Sequence, residues 1–75
     1  MRNAMSFDIG GLRAEVSEEG QCGTIVWVTV SEEGYEPTFV AVLEKKGDKP
    51  RNLAERGVHR YKGWRTSHEP RKIAE

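Results

Sequence analysis

Three residues with catalytic side-chain types are adjacent near the carboxyl end of the chain: Ser67, His68 and Glu69. In a serine hydrolase the hydroxyl attacks the substrate, the imidazole takes its proton, and a carboxylate orients the imidazole. These groups must meet through the fold, and neighbours in sequence rarely do so because successive side chains point in different directions. We therefore interpret the tripeptide as a polar turn and predict no catalytic residue.

Metal binding would require acidic, histidine or cysteine side chains at suitable spacing. The pentapeptide Val-Ser-Glu-Glu-Gly occurs at 16–20 and again at 30–34, each time between strand candidates. Turns at the two ends of one strand would lie on the order of 25 Å apart, because a strand rises about 3.3 Å per residue. Cys22, His59 and His68 lack the paired short spacings of zinc sites. The sequence thus predicts two glycine-ended turns and no metal site.

Other enzyme signatures are also missing from the sequence. It contains no phosphate-binding glycine-rich loop and no dinucleotide fingerprint, so we expect a non-enzymatic protein with no cofactor and no small-molecule substrate.

A single cysteine, Cys22, cannot form an intramolecular disulfide and suits a reducing compartment. No stretch approaches the ~18 apolar residues of a membrane span. We therefore expect a soluble, cytoplasmic protein without membrane contact.

The charges balance overall but are divided along the chain. Twelve basic and twelve acidic residues give a formal net charge of zero. Residues 1–43 hold two of the basic and seven of the acidic residues, whereas residues 44–75 hold ten basic and five acidic ones. This asymmetry fits two hypotheses: an anionic partner for the basic half, or mutual attraction of the two halves in the folded monomer.

Periodicity predicts the elements that would position these groups. Apolar residues alternate through 6–17, with Gly10-Gly11 as a bulge that keeps one apolar face; a tight hairpin at the two glycines is the alternative. Segments 23–31 and 38–44 are rich in β-branched and aromatic residues. The sequence predicts an α+β fold with a three-stranded antiparallel meander over about 6–17, 23–31 and 38–44.

The composition changes after the third predicted strand, where a helix is expected to follow. Asp48 could cap it, and Pro50 suits its first turn. Apolar residues then recur at helical spacing, namely Leu53, Ala54, Gly57, Val58, Tyr61 and Trp64. We predict that this helix packs on one face of the sheet; a strand over 58–64, and with it a small all-β barrel, is the alternative. Residues 1–75 form one small domain, with 1–4 and 68–75 frayed.

Both middle strands are apolar on two faces, although one face of a small antiparallel sheet normally meets water. A single helix covers one face, so we expect a homodimer or another protein partner. Aromatic side chains are enriched at interface centres, and the predicted binding residues are Ile25, Trp27, Tyr35 and Phe39. The predicted function is that of a small adaptor, inhibitor or regulator, of a kind that phages and mobile elements encode.

The alternative hypothesis is nucleic-acid binding by the basic-aromatic segment 45–72. Cations and aromatic residues interleave there, as in proteins that bind single strands by phosphate attraction and base stacking. The candidate residues are Arg56, Arg60, Lys62, Trp64 and Arg65. Two considerations weaken this hypothesis. A helix would turn the aromatic rings into the core, and a net charge of zero is unlike the strongly basic domains that bind phosphate backbones.

Overall fold

The protein is a four-stranded antiparallel sheet followed by one helix, as described by a computed structural model covering residues 3–18 and 25–73. The elements in chain order are β1 (Asn3–Ile9), β2 (Leu12–Glu18), β3 (Ile25–Glu32), β4 (Phe39–Glu44) and α1 (Pro50–Arg65). The strands are neighbours in the order β1-β2-β3-β4, which is a meander. The predicted α+β fold with a C-terminal helix on one face is confirmed, with four strands instead of three.

The additional strand arises at Gly10-Gly11, where the bulge prediction was wrong and the chain reverses in a two-residue hairpin. Gly10 and Gly11 have φ values of +58° and +82°, which match a type I′ turn, the connection favoured between twisted antiparallel strands. Ile9 is paired with Leu12 across the turn. The apolar alternation through 6–17 therefore belongs to two strands that share one apolar face.

The second copy of the repeated pentapeptide ends in a turn, as predicted. The Tyr35 amide donates a hydrogen bond to the Glu32 carbonyl at 3.0 Å, and Gly34 has a φ of +88°, a value that glycine adopts without strain. The first copy runs into residues 19–24, which also include Cys22, and its predicted turn lies outside the described residues.

The helix prediction is confirmed, and the strand and barrel alternative for 58–64 is wrong. Pro50 occupies the first turn of α1, but Lys49 is the N-cap residue and no side chain caps it. Asp48 instead accepts a hydrogen bond from Arg56 Nη1 at 2.9 Å. Within the described residues, no helix is long and apolar enough to cross a membrane.

One core lies between α1 and the sheet face that it covers. Its buried side chains come from β2, β3, β4 and α1: Leu12, Ala14, Val16, Val26, Val28, Val30, Ala41, Leu43, Leu53, Ala54, Val58 and Tyr61. Close packing depends on Gly57, because a Cβ atom at this position would lie 2.8 Å from the Val28 Cβ. The missing side chain lets the helix backbone lie directly over the centre of β3.

The chain after α1 returns to the turn that follows β3. The Glu36 amide donates to the Arg71 carbonyl at 2.8 Å, and the Ile73 amide donates to the Gly34 carbonyl at 3.1 Å. Although the sequence predicts fraying over 68–75, residues 71–73 are therefore paired, and Pro70 is buried. At the amino end, Ala4 is paired within β1. Residues 1, 2, 74 and 75 lie outside the described part of the chain.

Candidate functional site

The sheet face opposite α1, here called the open face, carries a group of exposed apolar side chains on β3 and β4. This apolar patch consists of Ile25, Trp27, Val40 and Val42, which are 45%, 43%, 47% and 55% exposed. Trp27 is directly opposite Val42, and facing Cβ atoms in such pairs lie about 4.5–5.5 Å apart. The four side chains therefore form one continuous surface.

The remainder of the open face is polar beside this patch. A cleft of about 260 Å³ is lined by Arg13, Glu15, Thr29, Ser31 and Pro37. Arg13 and Glu15 belong to β2, the strand next to β3. An apolar centre with charged and hydroxyl groups at its border is the usual composition of a protein interface.

Tyr35, one of the four predicted binding residues, lies outside the apolar patch. It belongs to a polar cluster that joins β3, α1 and the carboxyl-terminal segment: Glu32, Tyr35, Tyr61, Arg65 and Glu69. The Tyr35 hydroxyl donates to Glu69 Oε2 at 3.1 Å, and the Arg65 guanidinium carbon lies 5.2 Å from the Tyr35 ring centre. These contacts hold the ring in place, so it is not a freely exposed aromatic side chain.

Charge interactions in the polar cluster shift three pKa values. The Tyr61 hydroxyl donates to Glu32 Oε1 at 2.8 Å, and Arg65 Nε donates to the same oxygen at 3.2 Å. The hydrogen bonds from Tyr61 and Arg65 lower the pKa of Glu32, with the larger effect from Tyr61. Desolvation of the carboxylate partly opposes this decrease. Burial and the Glu32 carboxylate raise the pKa of Tyr61, and hydrogen bonding to Glu32 raises that of Arg65. These contacts connect the end of α1 to β3.

Phe39, the fourth predicted binding residue, faces the helix. It is paired with the buried Val30, and its ring centre lies 5.3 Å from that of Tyr61 and 5.4 Å from that of Trp64. The structure thus divides the predicted set. Ile25 and Trp27 lie together on the open face, whereas Phe39 packs between sheet and helix because strand alternation places it there.

Two residues of the apolar patch, Val40 and Val42, were missing from the predicted set. The signal for them was present in the sequence, since both alternate with the buried Ala41 and Leu43 and so point to the opposite face. The preference for aromatic residues at interfaces favoured Phe39 over its aliphatic neighbours. Strand parity was the better guide to which side chains share a surface.

The aromatic residues of the basic-aromatic segment are not available to stack on bases. Tyr61 is buried in the core. The half-buried Trp64 stacks on His68, with ring centres 5.0 Å apart and planes 6° from parallel. Phe39 contacts both Tyr61 and Trp64. Base stacking requires an exposed ring face, so this segment offers only its cations.

Several of those cations are neutralised by neighbouring acids. Arg56 pairs with Asp48 at 2.9 Å and Arg65 with Glu32 at 3.2 Å. On the outer face of α1, a shallow depression of about 450 Å³ is lined by both acidic and basic residues: Asp48, Asn52, Glu55, Arg56, His59 and Arg60. Arg60 and Lys62 are exposed. The mixed charge of this surface provides a weak field for a polyanion.

The serine, histidine and glutamate of the carboxyl-terminal turn do not converge on a reaction centre. Ser67 Oγ lies 3.0 Å from His68 Nδ1, but the same nitrogen lies 3.1 Å from the Trp64 carbonyl oxygen. Glu69 accepts a hydrogen bond from Tyr35 and has none with His68 among the described residues. In that same part of the chain, no three acidic, histidine or cysteine side chains are grouped to hold a metal ion.

Known proteins provide no further information about this site. Comparison of the chain with protein families, with curated proteins and with solved structures finds no match. The apolar patch is therefore assessed on its own geometry.

Proposed function

We propose that this protein is a small protein-binding module, an adaptor, inhibitor or regulator that holds its partner against the apolar patch. The observation that carries the proposal is the exposure of four large apolar side chains, Ile25, Trp27, Val40 and Val42, on two adjacent strands. Their position across from α1 leaves them in contact with water when the chain is alone. Burial of apolar surface is the main driving force of protein association.

The composition of the surface supports a protein as the bound molecule. Trp27 is the third residue of β3 and lies opposite Val42. Tryptophan is among the residues that contribute most to binding energy when a partner excludes water from them. Arg13 and Glu15 carry opposite charges beside the patch, which would orient a partner without attracting a polyanion. A complementary partner surface would present apolar side chains at its centre and charges at its margin.

The alternative, nucleic-acid binding, lacks a corresponding observation. Single-strand binding combines a basic groove with exposed aromatic rings, whereas Tyr61 is buried here and Trp64 stacks on His68. The exposed Arg60 and Lys62 remain as unspecialised surface cations. We therefore assign the function to the open face.

Position-specific cross-linking in the source cell tests the proposal. A photoreactive residue is placed at Trp27, and a matched control is placed at the exposed His59 on the opposite side of the molecule. We expect one protein to be cross-linked from position 27 and not from position 59. We also expect the added substitution Val42→Lys to abolish the product, since it puts a charge in the middle of the patch.

Two results would contradict the proposal. One is a product that forms equally from both positions or survives Val42→Lys. The other is retention on an oligonucleotide column that falls steeply with salt and is lost on Arg60→Glu with Lys62→Glu, since salt-sensitive binding is characteristic of phosphate contacts.

A further inference from the structure

The apolar patch reaches the edge of the sheet, and the geometry of the first hairpin shows which backbone groups face outward there. A type I′ turn at Gly10-Gly11 makes Ile9 and Leu12 a hydrogen-bonded pair. Hydrogen-bonded and non-hydrogen-bonded pairs alternate along antiparallel strands. The registers between β2 and β3 and between β3 and β4 extend this alternation to the last strand. The N–H and C=O groups of Val40 and Val42 therefore point away from β3.

A contact at the end of β4 agrees with this assignment. Glu44 has the same parity as Val40 and Val42, so its carbonyl also faces away from β3. It accepts a hydrogen bond from Arg56 Nη1 at 3.4 Å. Val40 and Val42 make no such contact with side chains of the described residues. Their outward groups are positioned to pair with another strand.

The two edges of the sheet differ in the side chains that such pairing would bury. By the same alternation, the outward groups of β1 belong to Ala4, Ser6 and Asp8, so a charged and a hydroxyl side chain stand at that edge. Natural sheets use charged residues to prevent edge-to-edge association. At β4 the corresponding residues are Val40, Val42 and Glu44. Glu44 is the charged residue at the end of this strand, and the two valines before it are β-branched, uncharged and exposed. The β4 edge thus offers the larger exposed apolar surface for strand addition.

We propose that β4 pairs antiparallel with β4 of a second copy of this chain, with Ala41 at the two-fold axis. In this register Val40 is opposite the partner's Val42, and Val42 is opposite the partner's Val40. Both pairs exchange hydrogen bonds between the outward-facing backbone groups. The result is one continuous eight-stranded sheet with an isologous interface.

The side chains favour this register over the two registers that are shifted by two residues in either direction. A shift by two residues in one direction would pair only residues 39–41 and leave Val42 and Glu44 beyond the start of the partner's strand. A shift in the other direction would place Glu44 opposite the partner's Val40. With Ala41 at the axis, valine faces valine and Glu44 faces the partner's Thr38.

The charge distribution also allows a second copy of the chain to bind at the β4 edge. Glu36 precedes β4 and Lys46 follows it, so each end of an antiparallel pair has an acidic residue from one copy and a basic residue from the other. The formal net charge is zero, and two copies therefore approach without long-range repulsion. A small domain with a limited core also gains stability from oligomerisation.

Edge pairing would enlarge the surface used in the proposed function. Four valines, two from each copy, would form the centre of the open face, with Trp27 on one side and the partner's Trp27 on the other. The target of the module would then bind a composite surface to which both copies contribute. This last step rests on the proposed function, whereas the strand pairing itself does not.

The native mass of matched proline variants tests the pairing. The wild-type chain is expected at twice its 8.5 kDa monomer mass. Val40→Pro removes an outward N–H and keeps the bonds to β3, because proline is tolerated on an edge strand where its nitrogen faces away from the sheet. We expect Val40→Pro to have the monomer mass and Ser6→Pro, the same change at the β1 edge, to keep the doubled mass. A wild-type monomer at the highest soluble concentration, or a doubled mass for folded Val40→Pro, would overturn the proposal.

Amide hydrogen exchange provides a second measurement that needs no variant, in case Val40→Pro fails to fold. The Val40 and Val42 amides of the wild-type protein should become protected as the protein concentration rises, whereas the Ser6 amide should not. Rapid exchange of the Val40 and Val42 amides at all concentrations would overturn the pairing. This result would also be obtained if the protein formed a dimer through another surface. Ile25→Lys, added to the chain that carries the photoreactive residue at position 27, separates the two proposals: it should keep the doubled mass and lose the cross-linked target.

Discussion

The two faces of β3 have similar composition and very different surroundings. Val28 and its neighbours of the same parity are buried beneath α1, whereas Ile25 and Trp27 are 45% and 43% exposed. Strand propensity does not distinguish the faces, since β-branched and aromatic residues favour strands on either side. The difference arises from one helix that is large enough to cover a single face. Two-sided apolarity in a small sheet thus indicates that one apolar face is left uncovered by a single helix.

The covered face owes its close packing to a small residue in the helix. Gly57 lies over Val28 and leaves space for it, so the helix contributes backbone as well as side chains to the core. The open face has no such fitted neighbour within the described residues. A substitution should therefore have unequal effects on the two faces, and matched pairs of variants can measure the difference.

The largest expected difference comes from placing one hydroxyl on each face. Val28→Thr keeps the shape of the side chain but buries a polar group, which costs about 1–3 kcal/mol in unfolding free energy. Val42→Thr makes the same change at an exposed position, where surface substitutions usually stay within about 0.5 kcal/mol. Urea denaturation at one fixed protein concentration measures both, because self-association would make apparent stability depend on concentration. Equal losses of unfolding free energy for the two variants would show that the open face is covered as fully as the face beneath α1.

The second pair of variants tests the contact between helix and sheet. Gly57→Ala introduces a methyl group against Val28, and such overpacking costs typically 1–3 kcal/mol, reduced by the roughly 1 kcal/mol that alanine gains over glycine within a helix. Gly63→Ala places its methyl group in open space and should stabilise the protein by up to about 1 kcal/mol. Opposite signs in thermal unfolding are expected. Stabilisation by both variants would mean that α1 does not lie closely over β3.

Much of the fold could be predicted from the sequence because local patterns and tertiary packing agree. The β-branched runs form β3 and β4, and the apolar spacing from Leu53 to Tyr61 forms the buried side of α1. The hairpin at Gly10-Gly11 was mistaken for a bulge because both solutions keep one apolar face across the two glycines. The backbone direction at the glycines decides between them, and alternation alone does not reveal it.

The candidate site was predictable only in part. Alternation separates Ile25 and Trp27 from Val26 and Val28, but it does not show which face the helix covers when both are apolar. The covered face is the one where Gly57 lies over Val28, and this contact joins residues far apart in sequence. For the same reason, the polar cluster at Arg65 could not be predicted, since it joins elements from β3 to the carboxyl-terminal segment.

The smallest expected effect concerns pH and the polar cluster, which fixes the end of α1 on the covered face. The hydrogen bond from Tyr61, aided by Arg65, lowers the pKa of Glu32 in the folded protein despite desolvation. A carboxyl whose folded pKa lies below its unfolded value, about 4.3 for glutamate, stabilises the fold above that value, and this stabilisation is lost as the pH falls through the folded pKa. Glu32→Gln should therefore lower the unfolding midpoint at neutral pH, and the deficit should shrink in acid below about pH 4.

Glu33→Gln is the matched control for this measurement. Glu33 is adjacent in sequence and exposed, and its carboxylate makes no hydrogen bond or ion pair with the described residues. We expect its unfolding midpoints to follow those of the wild type across the same pH series. A deficit for Glu32→Gln that persists unchanged in acid would show that the carboxylate acts through its shape and not through its charge. The covered face would then be held by packing alone, with no contribution from the charge at its rim.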